Sequence, residues 1–344
     1  MARGPSETDV TSETSSKEVP MVHALLTAVL VVLSLVGAAA AQEPYPTRPV
    51  TIVAPYPPGG AADLTARPFA PALERALKQP VVVLNKPGGG GAVGTQAVAV
   101  ARPDGYTIML TVFSISTIPE ADRVAGRTPS FTRDQFVPIA RLNADPTLLM
   151  VRADAPWKTL KALVEDAKKR PNEILYASAG PYSVAHLAME VFMQAAGIKL
   201  RHLPTTGGGP AMTAVLGGHA AVATLSTGAV SPQVKGGKVR VLANSGATRH
   251  AGFPDIPTMK ELGYDVEVYL WTGLFAPKDV PAHALKILRE ATAKAVKDPE
   301  FTSASEKMQM PPAYLDADAF KTWWDKDSEM LAAAIRRMGK PDTK

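Results

Sequence analysis

The 344 residues contain no cysteine. That excludes a disulfide framework, a thiolate metal site and a thiol nucleophile. It suits an oxidising compartment without requiring one. G-x-S-x-G, H-E-x-x-H and the P-loop pattern are also missing, so the chemistries those motifs carry have no foothold. The six histidines, at 23, 186, 202, 219, 250 and 283, stand too far apart for a metal-ligand spacing. Carboxylates gather in no loop. No catalytic residue, metal or cofactor is expected, and the chain reads as a binder rather than an enzyme.

What is present has an ordinary globular balance, 46% apolar and 20% charged, which allows a sizeable core. The length fits one large domain or two ordinary ones. The first 41 residues differ. Positions 1–20 are rich in Ser, Thr and Glu, a disordered composition. An apolar run at 24–36 leads to Ala39-Ala40-Ala41 before Gln42. This has the small-residue pattern of an export-signal cleavage site. The run is short for a membrane span. Residues 1–41 are therefore expected to be a leader and signal cut after Ala41, with an uncleaved anchor as the alternative. Positive charge before the run is thin: His23 is adjacent and Lys17 further back. The leader holds more acid than base, so the remainder is more basic than the whole chain's +5. That excess is spread out. The tightest basic run, Lys168-Lys169-Arg170, closes a helical pattern before Pro171, where cations suit a helix C-terminus. No nucleic-acid partner is expected.

The rest alternates strand-like and helix-like segments. "VTIVAPY" (50–56), "PVVVLNKP" (80–87) and "YTIMLTVFSIST" (106–117) read as strands, with helical patterns at 61–78 and 92–101 between them. Such βαβαβ order predicts a mostly parallel sheet with helices on both faces. Pro68 and Pro71 should bend the first helix or restart it near Pro68. A second α/β set begins near 147 and runs to 246, and a helical section covers 282–340. Two domains are expected. Ligands of open α/β sheets bind beyond the C-terminal strand ends.

Gly89-Gly90-Gly91-Ala92-Val93-Gly94 matches G-x-G-x-x-G. It does not open directly from its strand, and no acid for a ribose follows some 20 residues on. It reads as a turn into a helix, not a dinucleotide site.

Three strand-to-helix loops share one design: small side chains, free N–H groups and no Lys or Arg. The first is Tyr56-Pro57-Pro58-Gly59-Gly60-Ala61-Ala62-Asp63. The second is Ser178-Ala179-Gly180-Pro181-Tyr182-Ser183, with His186 one turn on. The third is Thr205-Thr206-Gly207-Gly208-Gly209-Pro210. A helix N-terminus favours an anion, so three such loops together predict an anion site held by neutral donors. Asp63 could equally serve its own helix, and His186 suits packing as well as contact. Ser114 and Thr227, with Thr111, Ser116 and Trp271, are further candidates to line the pocket.

At these residues the chain resembles the substrate-binding proteins of the tripartite tricarboxylate transporters, the Bug receptors. "YPTRPVTIVAPYPPGGAADLTAR", "QPVVVLNKPGGGGAVGT", "YASAGPYSVAHLAMEVF", "GGKVRVLANSGATRHAGFPDIPTMKELGY" and "WTGLFAPKDVP" carry the likeness from about Tyr45 to Arg337. The resemblance implies a type II-like periplasmic binding protein, with two α/β domains around a ligand cleft joined by two crossing strands. Domain 1 would hold 45–147 plus 268–344 and domain 2 would hold 148–267. It also implies a monomer that takes a small carboxylate to membrane transporter subunits. Di- and tricarboxylates, aromatic carboxylates and acidic amino acids all fit, and a signalling receptor or an enzyme on this fold are the alternatives. The implied ligand residues are Tyr56, Pro58, Gly59, Gly60, Ala61, Ala62 and Asp63 in the first loop, and Ser178, Ala179, Gly180, Ser183 and His186 in the second. In the third loop this chain has Pro204-Thr205-Thr206-Gly207 where the family usually reads Pro-Tyr-Lys-Gly, so Thr205 and Thr206 stand there without the lysine.

Overall fold

One strand, β4 (Phe136–Arg152), organises the molecule. It is 17 residues long and changes partners halfway. From Phe136 to Pro146 it runs antiparallel to β9 (Tyr269–Pro277). From Thr147 onward it runs antiparallel to β7 (Val222–Ser226) and β8 (Val239–Asn244). The computed structural model describes Met1 and residues 44–308, 310 and 312–339. The chain divides into Met1–Pro44 and a second unit, Tyr45–Lys344, to which all these strands belong. The expected cleavage after Ala41 lies outside the described residues. Among those described, no helix is long and apolar enough to cross a membrane.

Around the first half of β4 lies one lobe. β1 (Val50–Ala54) sits between β2 (Val81–Asn85) and β3 (Thr107–Val112), all parallel, and β3 then meets β9 antiparallel. β10 (Pro312–Leu315) adds to the other side of β4. Around the second half lies the other lobe, where β5 (Leu175–Ser178) runs parallel to β6 (Arg201–Pro204) and to β7. The sheet is thus mixed, not mostly parallel. The parallel triplets come from βαβ crossovers. The antiparallel centre arises because β9 opposes β3 and the first half of β4, while β7 and β8 oppose its second half.

Both sheet faces are covered, which is why the strands read as continuous apolar runs. Val50, Ile52 and Ala54 face a core with Phe69, Leu73, Leu288 and Phe301. Val53, from the same strand, faces Met109, Phe275, Phe320 and Trp324. In the other lobe Leu149 and Val151 meet Leu163, Leu187 and Phe192, while Leu148 and Met150 meet Ala211, Val215 and Val230. Each fully buried Leu, Val or Phe contributes about 1.5–3 kcal/mol.

The helix α1 (Ala61–Leu77) does not restart at Pro68. Leu64, Arg67 and Pro71 are exposed and Pro68 half-buried, all on one face. The carbonyls that Pro68 and Pro71 leave unpaired, those of Leu64 and Arg67, lie on that face within reach of water, which lowers the cost of interior proline. The segment 106–117 is not one strand. β3 ends at Val112 and α3 (Ser114–Val124) follows α2 (Ala92–Ala99) as the next helix. Beyond it come α4 (Leu160–Lys169), α5 (Val184–Ala196), α6 (Gly208–Leu216) and α7 (Thr227–Lys235). The chain ends in α8 (Ala282–Ala295), α9 (Pro299–Lys307) and α10 (Ala317–Met338). α10 serves both lobes: Phe320 and Trp324 pack in the first, Leu331, Ala334 and Ile335 in the second.

Candidate functional site

A cavity of about 430 Å³ lies between the lobes, within the range typical of small-ligand pockets. The first lobe supplies Tyr56 from the loop after β1, Gly89 and Gly90 from the turn after β2, and Val112 and Phe113 from the end of β3. α3 adds Ser114, Thr117, Ile118 and Ala121. The second lobe supplies Pro181, Tyr182 and Ser183, the loop between β5 and α5. These groups stand at C-terminal strand ends, as open α/β sheets dictate.

Tyr56 is the centre of the first-lobe wall. Its hydroxyl is hydrogen-bonded to the Ser114 hydroxyl, and either can donate. Burial raises the Tyr56 phenol, against the pull of Ser114 and Thr111, so it stays a neutral donor. Two hydroxyls joined by one hydrogen bond keep one proton to offer. The Thr111 hydroxyl is fully buried beside this pair. Thr117 is buried one turn further along α3.

The Gly-rich turn earns its composition here. Gly88, Gly89, Gly90 and Gly91 all have positive φ, from 56° to 139°. A Cβ on Gly91 would stand 2.9 Å from the Tyr56 hydroxyl. A Cβ on Gly94 would stand 2.5 Å from the Lys86 carbonyl and 2.6 Å from Pro55. The motif lets a helix and an aromatic ring press against backbone. Its place after β2 was the signal that it belongs to the site.

The three predicted loops fare differently. In the first, Asp63 is buried and accepts from the Gly59 N–H at 2.9 Å, Asn85 at 2.9 Å and Arg67 at 3.0 Å. Burial pushes its carboxyl up, but these bonds outweigh that and hold it below the usual range. Gly59 therefore spends its N–H inside the loop, and Gly60 gives its own to Pro57 at 3.3 Å. The ladder of α1 starts at Leu64, which donates to Gly60. The amides of Ala61, Ala62 and Asp63 have no intrahelical acceptor, as in any first turn. Pro58 is exposed at the tip.

In the second loop the hydroxyls are committed. Ser183 caps α5, accepting from His186 N–H at 3.3 Å and donating to the Gly180 carbonyl at 2.7 Å. Ser178 is fully buried, 2.7 Å from His202 Nε2 and 3.2 Å from the Gly180 carbonyl. His186 takes the Tyr182 N–H on Nδ1 at 3.0 Å and stacks on His202 with ring centres 3.9 Å apart. Burial, helped by His186, lowers His202 to about 4, so this imidazole carries no charge at neutral pH. Tyr182 itself has φ 58° and donates to the Gly339 carbonyl at 2.8 Å. Ala179 is half-buried beneath the loop.

The third loop is bound to the second: Thr205 donates its N–H and its hydroxyl to the Ser178 carbonyl, at 3.1 and 2.8 Å. That hydroxyl also points at the Gly207 carbonyl at 2.9 Å. Thr206 is exposed and makes no hydrogen bond to a described residue. Neither threonine lines the cavity. Thr227 is turned to Asp145, giving its N–H at 3.1 Å and its hydroxyl at 2.6 Å. Ser116 and Trp271 are core. Ser116 is bonded to Ser328 and Trp324, both at 2.8 Å, and the Trp271 indole donates to Asp327 at 3.0 Å.

The structure thus joins Tyr56, Ser114 and Ser183 in one cavity. Tyr182 of the second loop joins them, and the structure adds the Gly-rich turn, Phe113, Thr117, Ile118 and Ala121, which lie outside the residues the sequence points to. The 114, 117, 118, 121 spacing is helical, but the apolar run before it disguised the helix as more strand. Among the described residues no group of three His, Cys, Asp or Glu could hold a metal.

Two lobes sharing a long strand, with uncharged side chains lining an open cleft between them, define a small-solute binder of the periplasmic binding protein kind. Residues 65–339 match the family described as "Tripartite tricarboxylate transporter family receptor" (TctC), and the chain belongs to that family. A TctC solute-binding protein structure from Polaromonas shares 35% identity at a TM-score of 0.78, covering 86% of this chain and all of that one. Protein BugT of Bordetella pertussis is 31% identical over 320 residues, which is 92% of this chain and 97% of that protein. An R. palustris protein with adipate is 25% identical at a TM-score of 0.68, covering 85% and 98%.

Proposed function

We propose that this protein is a periplasmic receptor that captures a small organic carboxylate between its lobes and delivers it to a tripartite tricarboxylate-type membrane transporter. The observation that carries the reading is the Tyr56–Ser114 hydroxyl pair. It places a spare O–H donor at the first turn of α3, on a wall that faces the second lobe's Tyr182 and Ser183. A carboxylate there meets that neutral donor and the positive end of a helix dipole, and a hydrogen bond to the charged group is worth about 1.5–3 kcal/mol. The family's receptors and the adipate-bearing relative support the carboxylate and the transporter.

A thermal-shift screen of organic acids against their methyl esters tests the ligand. An acid at about 100 Kd should stabilise the protein by about 2.7 kcal/mol, and its ester should give little shift. Esters that match their acids would remove the anion site. For the transporter, cells lacking the receptor should lose uptake of the same acid.

A further inference from the structure

A carboxylate occupies one end of such a ligand, and the rest of the molecule meets the walls. Val112 and Phe113 close the end of β3, Ile118 and Ala121 continue along one face of α3, and the Tyr182 ring stands across from them. No Lys, Arg, His, Asp or Glu is among the lining residues. The charged side chains of α3 and the turn after it are occupied with one another. Glu120 pairs with Arg123 at 3.1 Å and with Arg336 at 3.3 Å. Burial raises the Tyr182 phenol and Arg127 lies close enough to pull weakly against that, yet its guanidinium is forked onto Asp122 at 2.9 and 2.7 Å. Arg67, on the far side of the first loop, is held by Asp63 and Asn85.

A second carboxylate pushed against Phe113 and Ile118 would lose its water and gain no cation, and burying an unpaired charge is costly. An apolar body in the same place is stabilised by the area it removes from water. The adipate of the R. palustris structure is a diacid, and the walls here offer no cation to its other end.

Resting on the carboxylate reading of this cavity, we infer that the ligand class is a monocarboxylate with an apolar body, a short-chain or aryl acid. Phe113, Ile118, Ala121 and Tyr182 are the residues that reject a second charge.

The test is calorimetry on the exported chain with matched pairs: hexanoate against adipate, octanoate against suberate, benzoate against terephthalate. Each pair shares a carbon skeleton and differs by one carboxylate. At least one monoacid should bind, with its diacid partner tenfold weaker or worse. Ala121→Lys, which sets an ammonium on the cavity face of α3, should raise the diacid-to-monoacid affinity ratio at least tenfold. A wild-type protein that binds a diacid as tightly as its monoacid overturns the inference and leaves the carboxylate reading standing. Methyl hexanoate or methyl benzoate binding as well as the free acid, or no acid in the panel binding, overturns both. A folded Ala121→Lys protein with an unchanged ratio shows that α3 is not the wall that discriminates. Should that variant not fold, the wild-type pairs decide alone.

Discussion

Asp145, on the half of β4 that pairs with β9, accepts two hydrogen bonds from Thr227, the first residue of α7 in the other lobe. Both residues are buried, at 3% and 2% exposure. The pair ties the crossing strand to a helix N-terminus, where an acceptor side chain is favourable.

Thr227→Val should therefore act on folding before it acts on binding. It removes the 2.6 Å bond and leaves a buried acceptor short of a donor, a loss of about 1–3 kcal/mol. Urea unfolding of the ligand-free protein should show it. Unchanged stability together with weaker ligand binding would return Thr227 to the ligand site.

Two buried acids predict a pH dependence. Burial lifts Asp145 to about 6, against the pull of Thr227, and lifts Asp327 to about 7, against its bond from Trp271. Unfolded carboxyls titrate near about 3.9, so between about pH 4 and 7 the folded chain binds more protons. These two groups then make stability fall as pH rises through that window. His250, 3.9 Å from Asp145, is itself lowered by burial and adds no firm positive charge. Asp327→Asn keeps an acceptor for Trp271 and removes one titration. Its urea midpoint should fall less than the wild type's between pH 5 and pH 8. Parallel curves for the two proteins would refute the assignment.

Gly94→Ala should destabilise, although alanine is the better helix former. The added methyl would lie 2.5 Å from the Lys86 carbonyl and 2.6 Å from Pro55, and both are rigid neighbours. Overpacking of this kind costs about 1–3 kcal/mol. Thermal unfolding would show a lowered midpoint. A raised midpoint would mean that propensity outweighs the clash.

Closure on ligand is expected because the cavity takes walls from both lobes, while β4 changes partners between Pro146 and Thr147. X-ray scattering with saturating ligand should give a smaller radius of gyration than without. Equal values would indicate a pocket that is already closed. Tyr182 gives a local probe of the same motion. Its bond to the Gly339 carbonyl ties the second-lobe loop to the end of α10, and Tyr182→Phe should speed amide exchange there.

Local chemistry was legible in the chain. Apolar runs marked β1 and β2, glycine and proline marked the loops, and helical spacing marked α1 and α2. These depend on residues a few positions apart, and periodicity reports such neighbours directly. The strand-to-loop-to-helix design also led to Tyr56 and the 178–183 loop, because the fold places such loops at strand ends whatever their exact contacts. Thr111, Val112 and Phe113 run on into Ser114 without a turn residue, so the helix that bears a third of the cavity's lining residues stayed hidden.

Hydrogen-bond allegiance was not legible, because it depends on partners far away in the chain. Ser178 is spoken for by His202, Thr205 by Ser178, Thr227 by Asp145, and Trp271 by Asp327. A hydroxyl has one proton to give. Whether it goes to a ligand or to the protein is decided only once the lobes are packed. The sequence by itself determined most of the elements, their order and the scarcity of charge in the strand-to-helix loops. The tertiary structure decided which donors remain free, since only folding brings Tyr56 against Ser114 and Gly91 beneath the Tyr56 ring.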